Sequence, residues 1–218
     1  MRLDDVRQAF GERVQIHWRT FPLLPDHRPG RLATAATQEG RRRAAADEPR
    51  AAFVLPLLDT PLPASSVPAL TAAKCAERQG AGRFQQFHER LFLAQFRDNT
   101  DIGRPEVLWA IAQDAGCDMD AFRADYAAEG YQAMLRDYAE GAAWFGVSAL
   151  PTVVFNEKLS LVGAVPVERY RLLVEWFLAG EPGGAIPLAP APGAAAPGQS
   201  AVASPPTPPA SDRAETTG

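Results

Sequence analysis

The stretch at residues 144–164, WFGVSALPTVVFNEKLSLVGA, restricts the fold of this chain more than any other stretch. Gly146 suits the left-handed position that ends a helix. Residues 151–155 are short, apolar and rich in β-branched side chains, which predicts a buried strand; a proline can open it because the first residue need not donate to the ladder. After a polar turn, residues 159–162 predict a second strand. The two strands are expected to form a β-hairpin.

The composition limits the class of protein. The 218 residues suffice for one domain or two small ones, with enough core to fold without a covalent staple. A formal net charge of −4 gives no reason to expect a nucleic-acid partner. No run approaches the ~20 apolar residues of a membrane span, and the first ten residues do not look like a signal peptide. Two distant cysteines, Cys75 and Cys117, are typical of a reducing compartment, so we expect a cytoplasmic protein with no membrane partner.

The first fifty-five residues give weaker signals. Apolar residues at helical spacing from Leu3 to Phe10, followed by a glycine, predict a short helix. Residues 14–21 alternate apolar and polar side chains, which predicts a half-buried strand. The arginine run 41–43 is expected to be solvated, since acids follow it closely. Residues 53–55 are compatible with an edge or irregular strand.

Residues 65–145 predict an all-helical block. Apolar spacing, N-caps and terminal glycines divide it into five helices near residues 68–78, 84–96, 103–116, 119–127 and 131–145. Five apolar side chains recur every three or four residues on the second of these helices, and we interpret them as core: Phe84, Phe87, Leu91, Phe92 and Phe96. A final helix is predicted at residues 167–179.

The remainder, residues 181–218, is rich in Ala, Pro, Gly, Ser and Thr. It has too few bulky apolar residues to offset the loss of chain entropy on folding, so we predict a disordered tail. The motif PPTPP within it has the composition of a polyproline ligand, although ordinary tail sequence is the preferred interpretation. The predicted organisation is one domain at residues 1–180 followed by this tail.

Three motifs in order resemble the DsbA-like thioredoxin family, and its FrnE-like branch in particular. WRTFPLLPD at residues 18–26 resembles the family's segment after its second strand. The run from Cys75 to Asp118 resembles its helical insertion. GVSALPTVVFN with LSLVGAVPVERY resembles its proline-opened hairpin. The resemblance implies an α/β thioredoxin-like fold with an all-helical insertion at about residues 65–145.

The same resemblance implies a site. In this family the proline at the position of Pro151 is cis, and the residue before it pairs by backbone with a bound peptide. Ala149, Leu150 and Pro151 are therefore the expected substrate-binding residues, and the partner would be a protein or peptide thiol or disulfide. No cofactor is implied. His17, His27 and His88 do not have metal-ligand spacing, so no metal site is expected.

The departure from the family concerns catalysis. The family's Cys-x-x-Cys and its first strand are missing from this sequence, so no catalytic residue is present. Cys75 and Cys117 are interpreted as small buried side chains, with a disulfide between them left open.

The leading hypothesis is a thiol–disulfide oxidoreductase, truncated or inactive in this chain. The alternatives are a kappa-class glutathione transferase or hydroxychromene-carboxylate isomerase relative, and a non-catalytic peptide-binding module. We also expect the natural reading frame to begin upstream of Met1, with a strand and a Cys-x-x-Cys motif. The sequence indicates no oligomeric state.

Overall fold

The computed structural model describes residues 1–182 and 186. The predicted tail, residues 181–218, lies outside the described residues apart from Glu181, Pro182 and Ile186. The described chain contains eight α-helices, a short 3₁₀ turn at Gly11–Arg13 and one β-hairpin. The helices are α1 (Arg2–Phe10), α2 (Ala35–Asp47), α3 (Val67–Arg78), α4 (Ala81–Phe96), α5 (Pro105–Asp114), α6 (Met119–Ala127), α7 (Glu129–Phe145) and α8 (Val167–Leu178). The strands are β1 (Thr152–Phe155) and β2 (Leu159–Val162).

Helices α3 to α6 surround one apolar cluster, here called the helical cluster, and α7 packs against α3. Helix α3 can lie at its centre because it presents alanines to its neighbours, which allow close approach of the backbones. The small side chains are Ala69, Ala72, Ala73 and Ala76. Gly130 of α7 meets α3 closely enough that a Cβ there would lie 2.6 Å from the Cys75 Sγ. Small residues on both helices therefore permit this contact.

A second apolar cluster, here called the hairpin cluster, joins α1, the hairpin and α8. Its buried members are Val6, Phe10, Phe155, Leu159, Leu161, Tyr170, Leu173 and Val174. In β2 the buried Leu159 and Leu161 alternate with exposed Ser160 and Val162, the period expected when one face of a sheet is covered. The hairpin and the last helix predicted from the sequence are confirmed.

The hairpin is antiparallel, with Thr152 opposite Val162 and Phe155 opposite Leu159. Its turn places Asn156 and Glu157 at φ of 47° and 57°. Two successive left-handed residues twist in the same sense as the flanking strands, which is why turns of this hand are favoured in hairpins. The turn therefore sets the register that places β2's leucines in the hairpin cluster.

The strand predicted at residues 14–21 is wrong: this segment has no regular secondary structure and joins no sheet in the described part of the chain. The alternating apolar side chains of this segment nevertheless pack on the apolar clusters. Val14 and Ile16 pack on the hairpin cluster, and Trp18 packs on the helical cluster. The alternation correctly indicated that one face of the segment is covered. A β-strand also requires a neighbouring strand to pair with, and the alternation says nothing about that. Residues 53–55 likewise form no strand.

Thr20, at the end of this segment, is held by a buried polar cluster. Its backbone N–H donates to Asp137 Oδ2 at 3.0 Å, and its hydroxyl donates to the Met134 carbonyl at 2.9 Å. Lys74 Nζ donates to the same Asp137 oxygen at 3.0 Å and also pairs with Glu77. Lys74 and Asp137 are both buried, so each compensates the charge of the other. The cluster fixes the end of this segment, at Thr20, to α3 and α7.

The expectation that the whole arginine run 41–43 is solvated is wrong for its first member. Arg41 is buried, and its guanidinium donates to the carbonyls of Val54, Gln95 and Phe96 and to the Asn99 side chain. Burial lowers its pKa, although hydrogen bonding to several acceptors keeps the charge satisfied. Arg41 thereby fastens α2 to the end of α4.

Candidate functional site

The loop between α7 and β1 is an exposed part of the hairpin region. Gly146 ends α7 with a left-handed φ of 61°, as predicted, and the Val147 N–H donates to the Gly141 carbonyl at 3.0 Å. The following residues Ala149, Leu150 and Pro151 are all exposed. The peptide bond between Leu150 and Pro151 is cis. The sequence-predicted substrate-binding residues thus lie together on the surface.

Two hydrogen bonds hold this loop against the hairpin. The Thr152 hydroxyl donates to the Ala149 carbonyl at 2.7 Å, and the Gly163 N–H donates to the Pro151 carbonyl at 2.7 Å. The first bond was missed from the sequence. A threonine after a proline could have suggested it, because Ser and Thr hydroxyls commonly bond nearby backbone carbonyls. The loop therefore enters β1 in a fixed orientation.

One edge of β1 is open. The bond between Gly163 and the Pro151 carbonyl marks their pair as hydrogen-bonded, and in an antiparallel ladder such pairs alternate with pairs whose groups point outward. The N–H and C=O groups of Thr152 and Val154 consequently point away from β2. Within the described residues the sheet has two strands, so these groups have no strand partner. The exposed Leu150 leads directly into this edge.

The segment at residues 14–20 has a similar property. Among the described residues, no main-chain group between Gln15 and Arg19 pairs with another main-chain group. Val14 and Ile16 border the hairpin cluster, as does Val153 of β1. Two lengths of backbone whose main-chain groups have no main-chain partner among the described residues, the outer edge of β1 and residues 15–19, therefore adjoin the same apolar cluster.

The two cysteines lack the properties of a redox site. Cys75 and Cys117 are free, buried, and belong to the helical cluster rather than the hairpin cluster. Burial, assisted by the negative charge of Asp125, raises the pKa of Cys75 to about 12. Burial also raises the pKa of Cys117. Since the thiolate is the reactive form, neither sulfur is prepared for disulfide exchange.

The described residues hold no group of three or more His, Cys, Asp or Glu side chains that could bind a metal ion. His17 and His27 are exposed, and His88 packs among aromatic rings on α4. None of the described helices has the length and apolar character needed to cross a bilayer.

A hairpin opened by a proline, followed by a covering helix and preceded by a long helical block, is the element order of a thioredoxin-type domain with a helical insertion. The family model described as "DSBA-like thioredoxin domain" matches residues 1–175. The chain therefore belongs to the DsbA-like thioredoxin family, and the predicted fold class is confirmed.

A curated relative is the ClpXP adapter protein SpxH of Halalkalibacterium halodurans. It is 28% identical to this chain over 131 residues, which cover 57% of this chain and 42% of the relative. The chain therefore matches less than half the length of that protein.

Proposed function

We propose that this chain binds an extended polypeptide along the open edge of β1, as a peptide-binding member of the DsbA-like family. The observation that carries the proposal is the continuity between the exposed loop at residues 149–151 and an unpaired strand edge among the described residues. An added strand would pair with the outward groups of Thr152 and Val154 and with the backbone of Leu150. This is recognition by strand addition, in which main-chain bonds give affinity and alternate side chains give specificity.

The size of the site sets the strength of binding. Three or four main-chain hydrogen bonds contribute roughly 0.5–1.5 kcal/mol each after water is displaced. Leu150 adds apolar contact, because its side chain is 41% exposed and loses that exposure beneath a ligand. Affinity from this edge alone would be modest, and side-chain contacts with Leu150 would select among ligands.

The family's disulfide chemistry is a separate matter. The leading hypothesis from the resemblance is a thiol–disulfide oxidoreductase, and we propose that the 218 residues do not catalyse this reaction. The chemistry requires a thiolate of lowered pKa with a second thiol within reach, whereas burial raises the pKa of both thiols here. A binding role without redox chemistry is also compatible with the name of the curated relative, which is an adapter protein.

We propose two finer assignments, each from one sequence feature. Membership of the FrnE-like branch rests on the segment WRTFPLLPD at residues 18–26. A cytoplasmic location rests on two free cysteines, which are typical of a reducing compartment.

The test is a titration of the isotope-labelled chain with reduced, carboxymethylated α-lactalbumin, an unfolded polypeptide without thiols. We expect amide shifts concentrated at residues 149–154. Val154→Pro removes an outward N–H from β1 but spares the bonds to β2, so we expect binding at least tenfold weaker. Val162→Pro makes the same change on the opposite edge and serves as the control.

Equal binding by Val154→Pro and the unaltered chain, or shifts centred elsewhere, would overturn the proposal. Leu150→Asp provides a second variant on an exposed position, so that a folding defect in Val154→Pro does not leave the question open. Weaker binding by Leu150→Asp, with an unchanged melting temperature, is the expected result.

A further inference from the structure

Six aromatic rings form a contiguous group on and beside α4, here called the ring ladder. Phe84, His88, Phe92 and Phe96 occupy successive turns, with ring centroids 5.1, 4.9 and 5.6 Å apart. Trp18 packs beside Phe84 and His88, at 5.0 and 5.1 Å, and Phe53 packs on Phe96 at 5.5 Å. At a rise of about 1.5 Å per residue, the part on α4 alone is about 18 Å long.

The ring ladder lies beside the core face of α4. Phe87 and Leu91 are the buried members of this helix, whereas the ladder rings are half-buried or exposed, and two of them, Trp18 and Phe84, also pack against the helical cluster. Phe92 at its middle is 50% exposed. The sequence interpretation of the aromatic stripe as core is confirmed for Phe87 and Leu91 and is wrong for Phe92. A scattered exposed apolar residue needs no explanation, but an exposed ring within a contiguous row of rings favours a binding surface.

The chemistry of the row favours a proline-rich ligand. Aromatic-lined grooves bind segments in the polyproline II conformation, which needs no secondary structure or core of its own. His88 suits such a surface because burial lowers its pKa to about 4, which leaves the ring neutral near pH 7. A polyproline segment rises about 3.1 Å per residue, so five residues span about 16 Å, close to the length of the row.

The chain itself contains such a segment at Pro205-Pro206-Thr207-Pro208-Pro209. The 22 residues 183 to 204 connect it to the last continuously described residue, Pro182. Fully extended, that many residues span up to about 75 Å. A domain of this size is about 40 Å across, so the segment can reach any face of it.

We propose that residues 205–209 dock on the ring ladder of the same molecule. Tethering supplies an effective concentration in the millimolar range, so that even a contact with a dissociation constant of about 1 mM would be half formed. The docking is independent of the β1 edge, because the ladder residues belong to α4 and its neighbours. The contact makes the tail an intramolecular occupant of this surface.

The experiment uses the full 218-residue chain with Ser204→Cys carrying a nitroxide. The native Cys75 and Cys117 are buried, so the introduced thiol can be labelled selectively. We expect strong paramagnetic broadening of amides in α4 between Phe84 and Phe96, relative to the reduced label. Replacing the four prolines of residues 205–209 by serine should abolish the broadening without altering the folded domain.

Phe92→Ser should also abolish the broadening, since it removes the most exposed ring. Leu172→Ser on α8, where the side chain is 47% exposed, is the matched control and should leave it unchanged. Broadening that is uniform, centred elsewhere, or retained in Phe92→Ser would overturn the proposal. Broadening that arises only when the nitroxide is on one molecule and the observed amides are on another would also overturn it, because the occupant would then be a second copy.

Discussion

Arg41 shows how adjacent residues of one type acquire different roles. Its guanidinium reaches four acceptors near the end of α4, while Arg42 is exposed and pairs with Glu39. A guanidinium presents several donors in a rigid fork, which a single ammonium cannot reproduce. Nothing in the residue type distinguishes the two arginines. Their difference comes from the position of each on α2 relative to α4.

Arg41→Lys is therefore expected to destabilise the chain by about 2–4 kcal/mol, because buried carbonyls lose their donors. Arg42→Lys should change stability by less than about 0.5 kcal/mol. Urea unfolding of the two variants provides the comparison. Equal stabilities would show that Arg41 does not fasten α2 to α4.

His88 gives the chain an acid-sensitive component. Burial lowers its pKa from 6.5 to about 4. As pH falls below 6.5 the unfolded chain binds a proton at this ring and the folded chain does not, so stability falls between pH 6.5 and 4. The loss is at most about 3 kcal/mol, and less to the extent that water reaches the half-buried ring.

His88→Phe retains a ring in the ladder but cannot bind a proton. We expect its free energy of unfolding to change less than that of the unaltered chain between pH 7.5 and 4.5. His27→Gln, at an exposed position, is the control and should behave as the unaltered chain does. The same pH dependence in His88→Phe as in the unaltered chain would contradict the assignment.

At the scale of elements, the segment at residues 14–20 depends on the buried polar cluster. Asp137 accepts from both the Thr20 backbone and Lys74, so Asp137→Ala would leave a buried ammonium without this partner. We expect a loss of about 3–5 kcal/mol, with faster amide exchange at Thr20. Glu89→Ala, at an exposed position on α4, should be near neutral. An unchanged melting temperature in Asp137→Ala would contradict this account.

The predictability of the elements follows from the range of the interactions that form them. Helix α7, the hairpin and α8 were predicted because glycines, prolines and apolar periodicity are local signals. The prediction of a strand at residues 14–21 failed because strand pairing depends on a neighbour distant in sequence. The prediction that the whole stripe on α4 is buried failed for a related reason. Spacing identifies an apolar stripe, but the packing of α3 and α6 decides which rings become buried.

The features of the candidate site likewise divide into those that the sequence could predict and those that it could not. Ala149, Leu150 and Pro151 could be named because the hairpin motif resembles a known family, and their exposure is a property of the folded chain. The Thr152 hydroxyl bond, the open edge of β1 and the pair Lys74–Asp137 require coordinates. A lysine within the small apolar run TAAKCA of α3 was the one local indication that a buried charge needed a partner.

At the scale of the whole molecule, both sulfurs belong to the helical cluster and the open edge belongs to the hairpin region. We expect neither Cys75 nor Cys117 to react with a thiol reagent at pH 8 until the chain is unfolded. The folded chain should not reduce insulin disulfides above background. Cys75→Ser and Cys117→Ser should give the same background, and turnover that disappears in either variant would refute the proposed lack of redox activity.

The central claim is that an extended polypeptide pairs with the outward groups of β1, and amide hydrogen exchange tests it most directly. In the free chain, the amides of Thr152 and Val154 should exchange faster than that of Val153, whose residue pairs with Leu161. Saturation with carboxymethylated α-lactalbumin should slow exchange at Thr152 and Val154 and leave Val153 nearly unchanged. Uniform protection of β1, or no protection at Thr152 and Val154, would contradict the account.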